Sequence, residues 1–457
     1  MLVTQAYKFA LDPTPRRQRA LASHTGASRR AYNWGLHLVQ ARLAQRRAGQ
    51  DVRVPWTLYD LRREWNQVKE QVAPWWRQNS KEAYASGLDA LARALKNWVD
   101  STNGRRKGKP MGFPCPKKKG RARETCRFTT GPIKVLPDRH HIQLPRIGVV
   151  RTHESTRKLA RRLEQGTARI LAATISRAAD RWFVSFTVEV QRAERTPRRP
   201  EAVVGVDVGI RHLAVLSTGQ AIPNPAPLQG ALRRLRRLNR QLARRHGPRA
   251  PDGSRRAASA SWRRARRQLA RAQARVANVR RDHLHKLTTG LAGEYGTVVV
   301  EQLHVAGMLH NRSLARRLAD AGMTELRRQL AYKTTWAGGR LVQADMFYPS
   351  SKTCSDCGHV KAKLPLSARE FHCERCELAI DRDENAARNL AALVQTGAGM
   401  EVVAGSGPET QNARGADVSP GLAGRTALNR EAGTGLRPDR TGTVGAQAPA
   451  AWIADER

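Results

Sequence analysis

Acidic residues are scarce in this chain. Its 38 aspartates and glutamates stand against 82 lysines and arginines, so the formal net charge is +44 and the sequence pI about 11.5. Such a chain seeks polyanions. Long hydrophobic runs are missing as well. No apolar stretch approaches the roughly 18 residues of a membrane span, and the start, "MLVTQAYKFALDPTP", lacks a basic region followed by an apolar one. Neither a transmembrane segment nor a secretory signal is therefore expected. Cysteine is sparse too: six in 457 residues make no disulfide framework, and four of them form two C-x-x-C pairs. That pattern points to a metal in a reducing compartment. The expected setting is the cytoplasm, at the nucleoid. The partner is nucleic acid rather than a membrane, because the positive charge runs along most of the chain and would track a phosphate backbone.

A chain of 457 residues has room for about two to four domains. In "VTQAYKFAL", Tyr7, Phe9 and Leu11 recur at period two, as in a half-buried strand. Thr14 followed by Pro15 then signals a helix start. Helices are expected to about residue 100, the clearest striped by Tyr84, Leu88, Leu91, Leu95 and Trp98. Thr57 and Asp60 resemble a capping box for another. Residues 101 to 125, rich in Gly, Pro and Lys, read as a mobile basic loop in which Cys115 and Cys126 are isolated thiols. Trp182, Val184, Phe186, Val188 and Val190 then alternate after a turn at Ala179 and Asp180, as in an antiparallel sheet or small barrel. Residues 191 to 201 read as a linker.

From residue 203 the pattern changes. "VVGVD" is a buried strand ending in Asp207, and "GTVVVEQL" is another, with Glu301 near its end. Two basic helices lie between them. Leu232, Leu235, Leu238 and Leu242 stripe the first; Trp262, Leu269, Ala272, Val276, Val279 and His283 stripe the second. The arginine density on the second favours phosphate contact over a merely solvated face. Arg263, Arg266, Arg267 and Arg271 are the candidates there, with Lys117, Lys118 and Lys119 in the basic loop. Beyond about residue 398 the chain is rich in Gly, Ala, Pro and Thr and reads as a disordered tail.

Cys354, Cys357, Cys373 and Cys376 are spaced C-x2-C-x15-C-x2-C, a pattern that predicts one tetrahedral zinc. Four thiolates close the shell, so this zinc is structural. In "CELAIDRDENAARNL" two aspartates follow the last cysteine, and either Asp381 or Asp383 could join Asp207 and Glu301. Two strand-end carboxylates and one at a helix start suit an RNase H-like site, where hard oxygen ligands hold two magnesium ions.

"VVGVDVGIRHLAVLSTG", "TVVVEQLHVAGM", "LAYKTTWAGGRLVQADMFYPSSKTCSDCG" and "FHCERCELAIDRDENAARNL" resemble the RuvC segments and zinc ribbon of the transposon-encoded TnpB family. The start, "YKFALDPTPRRQRALASHTGASRRAYNWGL", is similar to that family's N-terminus, and the resemblance extends from residue 5 to about 395. It implies an RNA-guided endonuclease that cuts double-stranded DNA beside a short motif, with a guide RNA and target DNA as partners. It also implies a multidomain α/β fold: an RNase H-like RuvC domain with an inserted helical pair and zinc ribbon, and an N-terminal β-barrel of the oligonucleotide-binding type with an inserted helical lobe.

Mapped onto this chain, residues 1–20 begin the barrel, 21–104 form the recognition lobe and 105–197 complete the barrel. Residues 198–348 form the RuvC domain with its basic insertion at 228–288, 349–380 the zinc ribbon, 381–397 the last RuvC helix and 398–457 the disordered tail. The resemblance lands the catalytic trio on Asp207, Glu301 and Asp383. Asp381, three residues before Glu384, then suits a helix cap, with Glu384 reaching back. A compact type V CRISPR effector, a cut-and-paste transposase and a non-catalytic zinc-ribbon RNA-binding protein are the alternatives.

Overall fold

The period-two run near the N-terminus forms strand β1 (Leu2–Asp12), and the Thr14–Pro15 signal opens a 33-residue helix, α1 (Pro15–Arg47). The computed structural model describes residues 1–106, 108–245, 258–365, 367–396 and 400–403. They fall into two units, one built from residues 4–190 and the other from residues 1–3 and the chain beyond 190.

In the first unit, α1 is followed by α2 (Leu58–Val72) and α3 (Lys81–Thr102). The expected stripe on α3 is buried at Tyr84, Leu88, Leu91 and Leu95. Trp98 rests against Trp56 and Phe113. Thr57 caps α2 by accepting the Asp60 N–H, but the Asp60 carboxylate takes the Thr57 hydroxyl and Arg53 instead of reaching back to the Thr57 N–H. The reciprocal capping box is therefore incomplete.

Strands β2 (Thr125–Phe128), β3 (Lys134–Val135), β4 (His141–Leu144) and β5 (Gly148–Thr152), helix α4 (Arg157–Glu164), and strands β6 (Ala168–Ala178) and β7 (Arg181–Gln191) complete this unit. The seven strands make one sheet in the order β2-β6-β7-β1-β5-β4-β3. The β6–β7 hairpin turns at Ala179 and Asp180, whose φ values of 50° and 71° are those of a two-residue turn. Among the described residues the basic segment after α3 has no helix or strand before β2, and it is anchored at Lys117. Asn33 donates to the Lys117 carbonyl at 3.0 Å and accepts its N–H at 2.8 Å.

The second unit begins with β8 (Arg199–Asp207), β9 (His212–Leu216), β10 (Ala221–Pro223), α5 (Pro227–Arg244) and α6 (Ala260–Glu294). It continues with β11 (Tyr295–Glu301), α7 (Val305–Met308), α8 (Ala315–Ala321), α9 (Met323–Trp336) and β12 (Arg340–Ala344). Last come β13 (Glu370–His372), β14 (Ala379–Asp381), α10 (Arg382–Thr396) and β15 (Met400–Val403). A six-stranded sheet runs β10-β9-β8-β11-β12-β15, with β8, β11 and β12 parallel. The apolar run of β11 is continuous because both faces are covered. Val298 and Val300 pack with Leu326 and Leu330 of α9, while Val299 packs with Leu390 and Leu393 of α10.

Helices α5 and α6 pack through Leu235, Leu238, Leu269, Ala272 and Val276. The stripe expected on α6 fails at its last position: His283 is exposed and Leu284 is buried. Past Val276 this helix leaves α5, and Leu284 and Leu291 join the core beside the sheet. Asp320 of α8 ties the pair down. Its carboxylate accepts the Leu228 and Gln229 N–H groups at the start of α5 and pairs with Arg280 of α6 at 2.7 Å. The expected tail also needs correcting at its start, because "MEVV" at 400–403 pairs as β15 with the open edge of β12. Residues 404–457 lie outside the described residues.

Helix α10 touches β8 backbone to backbone. A Cβ on Gly205 would lie 1.9 Å from the Ala387 carbonyl oxygen and 2.7 Å from the Ala391 nitrogen. Gly205→Ala should therefore cost at least the roughly 1–3 kcal/mol of an overpacked core. Gly230→Ala, on α5 where a Cβ meets nothing within 4 Å, should instead stabilise by about 0.4–1 kcal/mol. Denaturant melts of the two variants check the contrast; equal melts would contradict the close contact.

Candidate active site

Asp207 and Glu301 leave the same end of neighbouring parallel strands. Val300 of β11 is in register with Val206 of β8, so the next residue on each strand is an acid. Adjacent strands lie about 4.8 Å apart, which sets the two carboxylates side by side at the carboxyl edge of the sheet. The Glu301 side is flanked by a shallow cleft whose lining includes Val208, Leu303, Val305, Met323 and Arg327. Glu301 Oε1 accepts a hydrogen bond from the Ser350 hydroxyl.

The third acid comes from α10. Burial is the first cause that pushes the Asp207 carboxyl well above the usual range, and the negative charges of Glu301, Asp383 and then Asp381 add to it. Arg382 opposes them. Glu301 and Asp383 are thus both within electrostatic reach of Asp207.

The two neighbouring aspartates differ. Asp381 is the last residue of β14 and accepts the backbone N–H groups of Asp383 at 2.9 Å and Glu384 at 3.3 Å, capping the helix. Glu384 does not reach back as a capping box requires. It turns along the helix to Arg388 at 2.7 Å. Asp383 is left in the first turn of α10.

The four cysteines form one cluster. Their sulfurs all lie within 4.8 Å of one another, with Cys354–Cys376 and Cys357–Cys373 at 3.5 Å. Among the described residues this is the only such group of three or more His, Cys, Asp or Glu. The acidic side chains are therefore spread more widely than the thiols. Each cysteine pair sits on a matching turn: the Cys354 N–H bonds the His359 carbonyl at 2.8 Å and the Cys373 N–H bonds the Leu378 carbonyl at 2.8 Å. The residue after each pair has positive φ, Gly358 at 72° in the first and Glu377 at 61° in the second. Backbone N–H groups, that of Cys376 foremost, draw the Cys373 thiol down to about 6. Four convergent thiols are a donor set for one zinc ion.

Two side chains in this region escaped the sequence reading. Asn385 and Asn389, both buried, bind the backbone just before and within the first cysteine turn. Their signal was present in "DENAARNL", where two asparagines fall one helical turn apart.

The basic candidates are surface residues. Arg263, Arg266, Arg267 and Arg271 are all exposed on α6, and the Arg266 guanidinium lies 5.3 Å over the Trp262 ring. Lys118 and Lys119 are exposed, whereas Lys117 is half-buried with its ammonium 3.8 Å over Tyr32. Among the described residues no helix is long and apolar enough to cross a membrane.

Family models match three segments: one described as "Probable transposase" over residues 185–312, one as "Cas12f1-like, TNB domain" over 324–390, and one as "Helix-turn-helix domain" over 1–48. The last segment is here a strand and a single long helix. A protein of Mycobacterium tuberculosis (strain ATCC 25618 / H37Rv) named "Putative RNA-guided DNA endonuclease" is 41% identical over 450 residues, 94% of each chain. "Putative RNA-guided DNA endonuclease InsQ" of Escherichia coli (strain K12) is 29% identical over 85% of this chain and 92% of its own. A solved Cas12f1 chain, from a complex with sgRNA and target DNA, aligns over 85% of this chain and 99% of its own at 14% identity and a TM-score of 0.44. With 41% identity sustained across nearly the whole of both chains, this chain belongs to the TnpB family.

Proposed function

We propose that this chain is a transposon-encoded, RNA-guided endonuclease that cuts double-stranded DNA at Asp207, Glu301 and Asp383. The observation that carries the reading is the gathering of three like charges at one sheet edge in a chain of net charge +44. Such a gathering is costly unless cations bind there. The relatives' names supply the RNA guide and the DNA target. The parallel β8-β11-β12 core with antiparallel β9 supports an RNase H-like RuvC domain. In the same reading the seven-stranded sheet is the oligonucleotide-binding-type barrel and α1–α3 its helical lobe.

The donor set fits two magnesium ions, since carboxylate oxygens are hard ligands and the repulsion on Asp207 is relieved by a cation. Such ions supply Lewis-acid activation of the attacking water and neutralise charge on the scissile phosphate. The chain's own residues do the rest. Asp207, Glu301 and Asp383 hold the ligating oxygens at the open edge of the sheet. The exposed arginines of α6 bind backbone phosphates without reading bases, and Lys118 and Lys119 extend that surface. One zinc in the cysteine quartet has no open position and serves the fold. The description "Probable transposase" favours strand transfer as a second reading. Covalent joining of DNA ends, rather than simple breaks, would establish it.

Purified protein should carry a structured RNA and cut only DNA that matches the end of that RNA. Equal cleavage of the same site by protein freed of RNA would overturn the guided reading.

Asp383→Ala should abolish cleavage and spare RNA and DNA binding. Asp381→Ala should lose about 0.5–2 kcal/mol of stability, as cap deletions do, and keep much of the rate. Single-turnover cleavage decides between them: a dead Asp381→Ala beside an active Asp383→Ala reverses the roles.

Replacing Cys354 and Cys357 by serine should release one zinc per chain and loosen the end of the nuclease unit. Elemental analysis reads this directly, and an unchanged zinc content would remove the cysteines from the site.

A further inference from the structure

Asn385 and Asn389 lie one turn apart on α10 and bind only backbone. Asn389 Nδ2 donates to the Ser350 carbonyl at 2.7 Å and the Thr353 carbonyl at 2.6 Å. Asn385 Nδ2 donates to the Thr353 carbonyl at 2.7 Å, and its Oδ1 accepts the Ser355 N–H at 2.9 Å. Residues 350–355 are thus held in one register against the helix. One end of that segment enters the first cysteine pair. At the other end Ser350, 3% exposed, directs its hydroxyl to Glu301 Oε1.

We propose that Ser350 is a positioning residue that orients the Glu301 carboxylate for a divalent cation, and that α10 holds Ser350 in place through Asn389. This rests on the metal-dependent nuclease reading above. A carboxylate on a strand end can rotate about its last torsion, so a ligand there is imprecise unless one oxygen is engaged. The Ser350 hydroxyl engages Oε1 and leaves Oε2 for the cation. The Ser350 backbone is itself fixed on both sides, its N–H on the Tyr348 carbonyl at 2.8 Å and its carbonyl on Asn389. The same helix therefore presents Asp383 and steadies Glu301, and its hold on residues 353–355 joins the cysteine cluster to the acidic site.

The test uses the full chain freed of RNA and measures Mn2+ binding by electron paramagnetic resonance in wild type, Ser350→Ala, Ser350→Thr and Asp207→Asn. Cleavage by the RNA complex is followed against Mg2+ concentration, alongside zinc content and melting temperature. Ser350→Ala should bind Mn2+ about 10–100-fold more weakly, as loss of a ligand's hydrogen-bond partner does. Its cleavage should recover at high Mg2+, with zinc and melting temperature unchanged. Ser350→Thr keeps the hydroxyl and should restore most of the affinity. Wild-type Mn2+ affinity and Mg2+ dependence in Ser350→Ala would overturn the inference. So would equal losses in the Ala and Thr variants that follow a fall in melting temperature, since packing would then be the whole role. If Asp207→Asn binds Mn2+ as wild type does, the acidic site holds no metal and the reading beneath the inference falls with it.

Discussion

The contact of α10 with β8 is the constraint on which the second unit depends. A helix normally stands off a sheet by the length of its side chains. Here the strand offers Gly205 and the helix offers Ala387 and Ala391, so the backbones meet. The start of the helix is thereby brought to the end of the strand, and Asp383 comes within reach of Asp207. Farther along α10, Leu390 and Leu393 close the core under Val299 and Val342. Two asparagines remain to take hold of the segment that leads into the cysteines. One helix thus has three partners, and setting it back by a methyl group would disturb all of them.

Charge is divided in space. The net charge of +44 lies partly on exposed faces such as the arginines of α6, while acids gather where the sheet ends. Arg382 is a positive group that partly offsets the burial and repulsion on Asp207. Holding like charges together works against folding, and proteins bear such local costs mainly at functional sites. On the proposed function the same arrangement would sort ligands: phosphates would be drawn to the arginines, whereas the acidic edge would repel them until cations bind.

Much of this was legible in the sequence because the signals were local. Strand β11 reads as a continuous apolar run ending at Glu301, and the cysteine spacing announces the quartet. Asp381 reads as a cap because the residues that it caps are its immediate neighbours. What escaped depends on partners distant in sequence. Ser350 is unremarkable in "FYPSSKTC", since its meaning comes from Glu301, 49 residues earlier. The stripe on α6 was misread at His283 because a long helix changes neighbours along its length, from α5 to the core beside the sheet. Residues 400–403 are too short a run to announce a strand; only the open edge of β12 makes them one.

The pairing of a thiolate cluster with an acidic cluster a few residues away has a chemical logic. Sulfur donors select zinc and hard oxygens select magnesium, so two sites can be neighbours without exchanging ions. The strands β13 and β14 are three residues each and could not stand alone as a folded pair. A zinc ion held by the four thiols at their base would supply the rigidity that so small a core lacks. That rigidity would pass directly into α10, because Asp381 is at once the last residue of β14 and the cap of the helix. A closed shell of four thiolates is therefore suited to holding Asp383 still, and it has no free position with which to join the chemistry.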